Sequence, residues 1–170
     1  MNQTHALSAS AKPGSRRILN ATLFGLLWAV IIVAAFVWHF LSSGWIMNEQ
    51  MLVASIPFAI AAWIGGFLTV LTTQSYGRQR SELQKFCTFL LLLLGLTLSL
   101  TLALFILHYR IYFATWHADF PSVQWSFQNF FTALAAVYLF LGTGLKVFLP
   151  WPLICAVGLS VFYARQDRSG

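Results

Sequence analysis

The chain has 170 residues, of which 59% are hydrophobic and 16% aromatic, whereas only 8% are charged. A soluble domain carries about 25% charged residues, and its water-facing surface needs roughly a quarter or more of them. This composition excludes an ordinary soluble globule and a disordered chain, and it predicts a membrane protein with several spans. The basic residues stand in twos and threes beside apolar segments, which orients membrane helices and does not indicate a nucleic-acid partner.

The first two predicted spans follow a polar N-terminal segment. We predict that residues 1–17 form a short tail and that 18–41 is an uncleaved first span. The apolar run is too long for a signal peptide, whose apolar region has about 7 to 15 residues. The second predicted span, 51–72, contains small residues at the spacing that lets helix backbones approach closely, namely Ala61, Gly65 and Gly66.

The third predicted span, 86–107, is rich in leucine and carries a small residue at every fourth position, namely Gly95, Ser99 and Ala103. Residues four apart share one face of a helix. We therefore expect this face to pack against a neighbouring helix and the leucines to face lipid. The connection that follows, 108–126, is aromatic, and we expect it to lie along the membrane interface.

A last apolar stretch, 127–163, is interrupted by Lys146 and by two prolines, Pro150 and Pro152. One straight helix of this length would measure about 55 Å, nearly twice the ~30 Å hydrocarbon layer. Too few residues follow Pro152 for a second full span. We therefore predict one net crossing and an additional short interfacial or re-entrant helix near the C-terminus. Either half is suited to be the crossing one.

The positions of Lys and Arg near the span ends predict the orientation. With four crossings, eight of the ten basic residues lie on one side and one, Arg110, lies on the other, while the side of Lys146 is open. The sequence thus predicts an all-α membrane protein with a four-crossing transmembrane helical bundle at 18–164. We expect both termini, including the tail 165–170, in the cytoplasm of a bacterial cell, with the bundle in the inner membrane.

Histidines form the one cluster that suggests a cofactor. His39 ends the first predicted span and His108 ends the third, so both are expected at the outer face. Two imidazoles that face each other between helices ligate haem iron, or bind copper if His117 joins them. Histidines at span ends more often place their polar tips among the lipid headgroups. We therefore expect no cofactor.

The function is predicted by elimination. The first three spans have no ionisable residue in their middle, so an ion or proton pathway would lack titratable groups. Asp119 and Asp167 fall on opposite sides of the membrane, which disfavours a carboxylate pair. We expect a non-catalytic accessory, stabilising or regulatory subunit of a larger membrane complex, such as a transporter, respiratory or secretion assembly.

The expected partners are other integral membrane proteins, bound through helix packing, and the lipid bilayer. Aromatic residues and arginine dominate interface hot spots, so the connection after the third span supplies the predicted docking residues, namely Arg110, Tyr112, Trp116 and Trp125. Two other functions stay open. One is an electron-transfer or metal-handling protein that uses the histidines, and the other is an immunity-type protein that recognises a membrane toxin.

Overall fold

The computed structural model of the protein describes residues 13–44, 46, 49–76 and 81–166. Residues 1–12 of the predicted tail, Trp45, Arg78, Arg80 and residues 167–170 lie outside this range. The described residues form five α-helices and no strand: α1 (Pro13–Ser42), α2 (Glu49–Tyr76), α3 (Glu82–Phe113), α4 (Val123–Gly142) and α5 (Trp151–Gln166). Short 3₁₀ segments follow α3 at Ala114–Trp116 and α4 at Gly144–Phe148.

The prediction of an all-α membrane protein with four crossings and a short C-terminal helix is confirmed. Four segments in the described part of the chain are long and apolar enough to cross a membrane, and α5 is a shorter apolar helix. The protein is thus an integral, multi-pass membrane protein. Helices α1, α2 and α3 extend beyond the predicted spans at both ends. They do so because backbone groups near the bilayer are best satisfied inside a helix.

The centre of the bundle is a close contact between α1, α2 and α3. A Cβ on Gly25 of α1 would lie 2.6 Å from the carbonyl oxygen of Trp63 on α2, so only glycine fits there. A Cβ on Gly65 would lie 2.8 Å from Oγ1 of Thr97 on α3. The small residues predicted to pack on the second span, Ala61, Gly65 and Gly66, are all buried at this contact.

The third helix packs with a different face from the one predicted. Its small residues, Gly95, Ser99 and Ala103, are exposed, and a Cβ on Gly95 would meet nothing within 4 Å. The buried residues of α3 are Phe89, Leu93, Thr97 and Thr101. The prediction that the small residues pack against a neighbouring helix is therefore wrong within this chain. Threonine replaces them because its hydroxyl donates to the carbonyl four residues earlier, which makes burial inexpensive.

Helices α4 and α5 together make one net crossing: α4 packs near the end of α3, and α5 runs to the other end of the bundle. Asn129, near the start of α4, accepts a hydrogen bond from Arg110 near the end of α3. Further along α4, the ring centroid of Phe140 lies 6.2 Å from that of Phe105 on α3. The chain then breaks between the two helices, at Thr143–Pro150. Helix α5 reaches the opposite end of the bundle, where the Tyr163 ring stacks 4.5 Å from Phe89. The start of α1 and the end of α5 therefore lie at the same end.

The break lies at the end of the bundle where α1 finishes. The ring centroid of Phe148 lies 6.1 Å from that of Phe58, near the start of α2. Val147 lines a small cavity with Trp38 and His39 of α1. Lys146 is exposed at this depth. The half after Lys146 therefore runs from this end of the bundle to the other, beside α3, whereas Val123–Phe148 is the segment long and apolar enough to span a membrane.

Candidate functional site

An open cleft of about 500 Å³ with a partly polar lining lies between the end of α3 and the start of α4. We call it the α3–α4 cleft. Its polar and aromatic lining residues are Arg110, His117, Asp119, Phe120, Trp125 and Asn129, and its apolar lining includes Leu107, Ile111 and Ala114. It lies where two candidate spans meet, because one ends at Trp116 and the next begins at Val123.

Arg110 is held on the cleft wall by α4. Its Nε donates a 3.0 Å hydrogen bond to Oδ1 of Asn129, whose own Nδ2 donates to the carbonyl of Trp125 at 3.0 Å. The amide of Asn129 therefore links the arginine to the first turns of α4. Since the bond uses Nε, the two terminal amino groups of the guanidinium keep their donors for a ligand.

His117 has its proton position set by its neighbours. Oγ1 of Thr132 donates its hydrogen to the carbonyl of Gln128 at 2.8 Å, so it can only accept from the ring. Nε2 of His117, at 3.2 Å from that oxygen, must therefore carry the proton. The side chain of Gln128 also accepts a 2.7 Å bond from the backbone N–H of Ala118. These bonds hold the connection against α4.

Two opposite charges face the cleft without neutralising each other. Arg110 and Asp119 both line it, yet they form no ion pair, and the Asp119 carboxylate has no hydrogen-bond partner among the described residues. Beside them, the rings of Phe120 and Trp125 meet edge to face at 4.8 Å. Such an aromatic corner offers a ring face to a cation. The cleft thus presents separate sites for an anionic and a cationic group.

The predicted docking residues do not form a single surface. Arg110 and Trp125 line the α3–α4 cleft, whereas Tyr112 and Trp116 lie in an aromatic cluster with Phe113. Residues 110 and 112 are two positions apart on a helix, and such residues point in very different directions. Tyr112 also lines a separate cavity with His108, Tyr109 and Phe113.

The structure does not bring the three predicted histidines together. His39 lines a cavity of about 140 Å³ beside the α4–α5 break, and its ring contacts Phe40. His108 is exposed and borders a different cavity, while His117 lies in the α3–α4 cleft. Within the described residues, no group of three or more His, Cys, Asp or Glu side chains is placed to hold a metal ion.

Asp119, Phe120 and Asn129 were missed as site residues by sequence reasoning. Their position in the sequence could have indicated this role, since they lie in or close to the polar connection that also contains Arg110 and His117. What the sequence lacks is the fold of the connection back onto α4, which brings residues 110 and 129 within a hydrogen bond. No protein-family model matches this chain, and no curated protein and no solved structure matches it.

Proposed function

We propose that the chain is a non-catalytic integral membrane subunit that binds a transmembrane helix of another membrane protein. One observation carries the proposal: α4 has a row of large apolar side chains along its outer face, each between 52% and 76% exposed. We call this row the α4 stripe, and its residues are Phe127, Phe130, Phe131, Leu134, Tyr138 and Leu141.

The spacing of the α4 stripe supports helix binding. Its members recur every three or four residues, so they share one face of the helix. Such a row is the pattern by which one helix packs against another, and aromatic side chains are enriched where partners bind tightly. The polar residues of α4 face the other way, since Asn129 and Thr132 bond within the α3–α4 hairpin. A partner helix can therefore pack against the outer face through apolar contacts, without hydrogen bonds to α4.

A non-catalytic role is supported by the chemistry of the bundle interior. The buried polar side chains in the described residues are all hydroxyls, namely Thr69, Thr73, Thr97, Thr101 and Ser160. Each donates to a carbonyl of its own helix. A hydroxyl that is committed to its own backbone is a poor nucleophile and a poor proton carrier. Transport or hydrolysis requires titratable groups that these residues do not supply.

The proposed location is a bacterial inner membrane with both termini in the cytoplasm. In the predicted four-crossing topology, eight of the ten basic residues lie on the side of the membrane that carries both termini and the α2–α3 connection. Basic residues near span ends stay on the cytoplasmic side. The start of α1 and the end of α5 lie at one end of the bundle, which is compatible with this orientation.

Site-specific photo-crosslinking in native membranes tests the proposed partner. A photoreactive side chain at Leu134, in the α4 stripe, should crosslink to one discrete protein. The same group at Leu91 of α3, which is 72% exposed and apolar, is the matched control and should crosslink to lipid only. Gentle extraction followed by native sizing should show the chain in a complex. Equal crosslinking from both positions, or a lone monomer on sizing, contradicts the proposal.

A further inference from the structure

We propose that the α3–α4 cleft binds the headgroup of a zwitterionic phospholipid, in which a phosphate and an ammonium group lie side by side. The site uses the inner side of the α3–α4 hairpin and none of the α4 stripe. It therefore stands independently of the proposed partner helix.

The lining groups on α3 follow the order of an acyl chain and a phosphate along the helix axis. An α-helix rises ~1.5 Å per residue, so Leu107 lies about 4.5 Å nearer the bundle centre than Arg110. Asp119 belongs to the connection beyond the end of α3. A lipid in this leaflet presents an acyl chain, then a phosphate, then an ammonium group. Leu107 and Arg110 match the first two parts in that order, and Asp119 lines the same cleft.

The charges of the cleft favour a zwitterion over an anionic lipid. A guanidinium binds phosphate through two parallel N–H donors, and Arg110 keeps its terminal donors because Asn129 engages only Nε. The Asp119 carboxylate is free to accept from an ammonium group. An anionic lipid would satisfy the arginine but would leave Asp119 unpaired next to a further negative charge. The opposite charges of Arg110 and Asp119 thus select a headgroup with one charge of each sign.

The aromatic corner adds to recognition of the ammonium group. A cation within about 6 Å of a Trp or Phe ring centre is attracted to the ring face. Phe120 and Trp125 border the cleft beside Asp119, with their ring centroids 4.8 Å apart. The cationic end of the cleft therefore accepts either a primary or a quaternary ammonium.

Native mass spectrometry of the full chain, released from detergent micelles, tests this site. The probes are phosphatidylethanolamine, phosphatidylcholine and phosphatidylglycerol with identical acyl chains, and soluble phosphoethanolamine. We expect at least one zwitterionic lipid to bind about tenfold more tightly than phosphatidylglycerol, as one charge-assisted bond would provide. Equal binding of all three lipids overturns the proposal. Soluble phosphoethanolamine binding as tightly as the lipid overturns the assignment to a lipid.

The decisive variant is Asp119→Asn, which removes the partner of the ammonium but leaves Arg110. The preference should then reverse, so that phosphatidylglycerol binds at least as well as the zwitterionic lipids. Asp119 lies on an exposed connection and holds no structural bond among the described residues, so the fold is expected to persist. Glu49→Gln, which removes an exposed carboxylate at the same end of the bundle, is the matched control and should leave the preference unchanged.

Arg110→Gln tests the phosphate end of the cleft. All three phospholipids should bind about tenfold more weakly, whereas Arg165→Gln at the other end of the bundle should change nothing. Unchanged binding in Arg110→Gln, or an Asp119→Asn variant that loses all lipids equally, contradicts the site. Since Arg110 also bonds Asn129, the helix content of the variant is checked by circular dichroism. The Asp119→Asn result decides the question even if this second variant unfolds.

Discussion

Trp28 of α1 donates a 3.0 Å hydrogen bond from Nε1 to Oγ1 of Thr97 on α3, and both residues are fully buried. The bond passes beside Gly65 and Gly66 of α2, whose lack of side chains lets the three helices approach. Thr97 in turn donates to the carbonyl of Leu93 at 2.6 Å. One hydroxyl therefore serves as acceptor between helices and as donor within its own helix, and it ties the first helix to the third.

The strength of this contact is measurable by a double-mutant cycle with Trp28→Phe and Thr97→Val. Interhelical hydrogen bonds in membranes contribute about 0.6 kcal/mol on average and up to ~1.7 kcal/mol. We expect a coupling near the upper value, because both partners are buried. The measurement is the SDS-induced unfolding free energy in mixed micelles. The control is Thr73→Val, because this buried threonine of α2 bonds only its own helix. The effects of Thr73→Val and Trp28→Phe on the unfolding free energy should add. If the effects of Thr97→Val and Trp28→Phe also add, the two side chains are not coupled.

Gly25 and Gly95 should respond in opposite ways to alanine. Gly25→Ala places a Cβ 2.6 Å from the carbonyl oxygen of Trp63, so α1 and α2 must separate. Overpacking of this kind costs about 1–3 kcal/mol. Gly95→Ala meets nothing within 4 Å and gains up to ~1 kcal/mol of helix propensity, so its stability should be unchanged or slightly higher. The thermal unfolding midpoints of the two variants in mild detergent compare them directly, and equal losses would refute the close contact.

Helix α5 is held to α3 by the stacked rings of Tyr163 and Phe89. Tyr163→Ala should lower the unfolding free energy by about 1–3 kcal/mol, because it removes ring burial and the aromatic contact. The neighbouring Phe162 is 66% exposed, so Phe162→Ala should change the unfolding free energy little. Both free energies come from SDS-induced unfolding in mixed micelles. A larger effect at position 162 than at 163 would mean that α5 packs with another face.

Lys146 reports which half of the last stretch lies beside the other spans. In a chain with Cys87→Ser and Cys155→Ala, Lys146→Cys should react with a membrane-impermeant maleimide from the side that labels Ser42→Cys at the end of α1. Arg165→Cys, near the end of α5, should react only from the other side. The readout is the gel shift of intact and inverted vesicles. Labelling of positions 146 and 165 from the same side would show that α4 alone makes the crossing.

The break in the last apolar stretch was predictable because it follows from length. The stretch 127–163 is too long for one helix and too short for two, and the interruptions at Lys146, Pro150 and Pro152 locate the break. Which half runs beside the other spans was not predictable, since both halves are apolar. The contacts of Phe148 with Phe58 and of Tyr163 with Phe89 place α5 beside the other helices, from one end of the bundle to the other.

The packed face of α3 was predicted wrongly for a physical reason. Leucine covers most of this helix, so hydropathy does not distinguish the side that faces lipid from the side that faces protein. The small residues, such as Gly95, suggested one face, but Thr97 packs instead because Trp28 needs an acceptor inside the bundle. In the same way, His39 and His108 lie in the last turns of the parallel helices α1 and α3, yet they line different cavities.

The sequence by itself determined the environment, the helical class, the number of crossings and the position of the break. These depend on how many apolar residues are needed to match the thickness of a bilayer, which is a property along each helix axis. Only the tertiary structure decided how each helix is rotated and how the connection after α3 folds onto α4. Rotation depends on which side chains fit between neighbours, and so the α3–α4 cleft, with Arg110 and Asp119 facing one space, emerges only once the helices are packed.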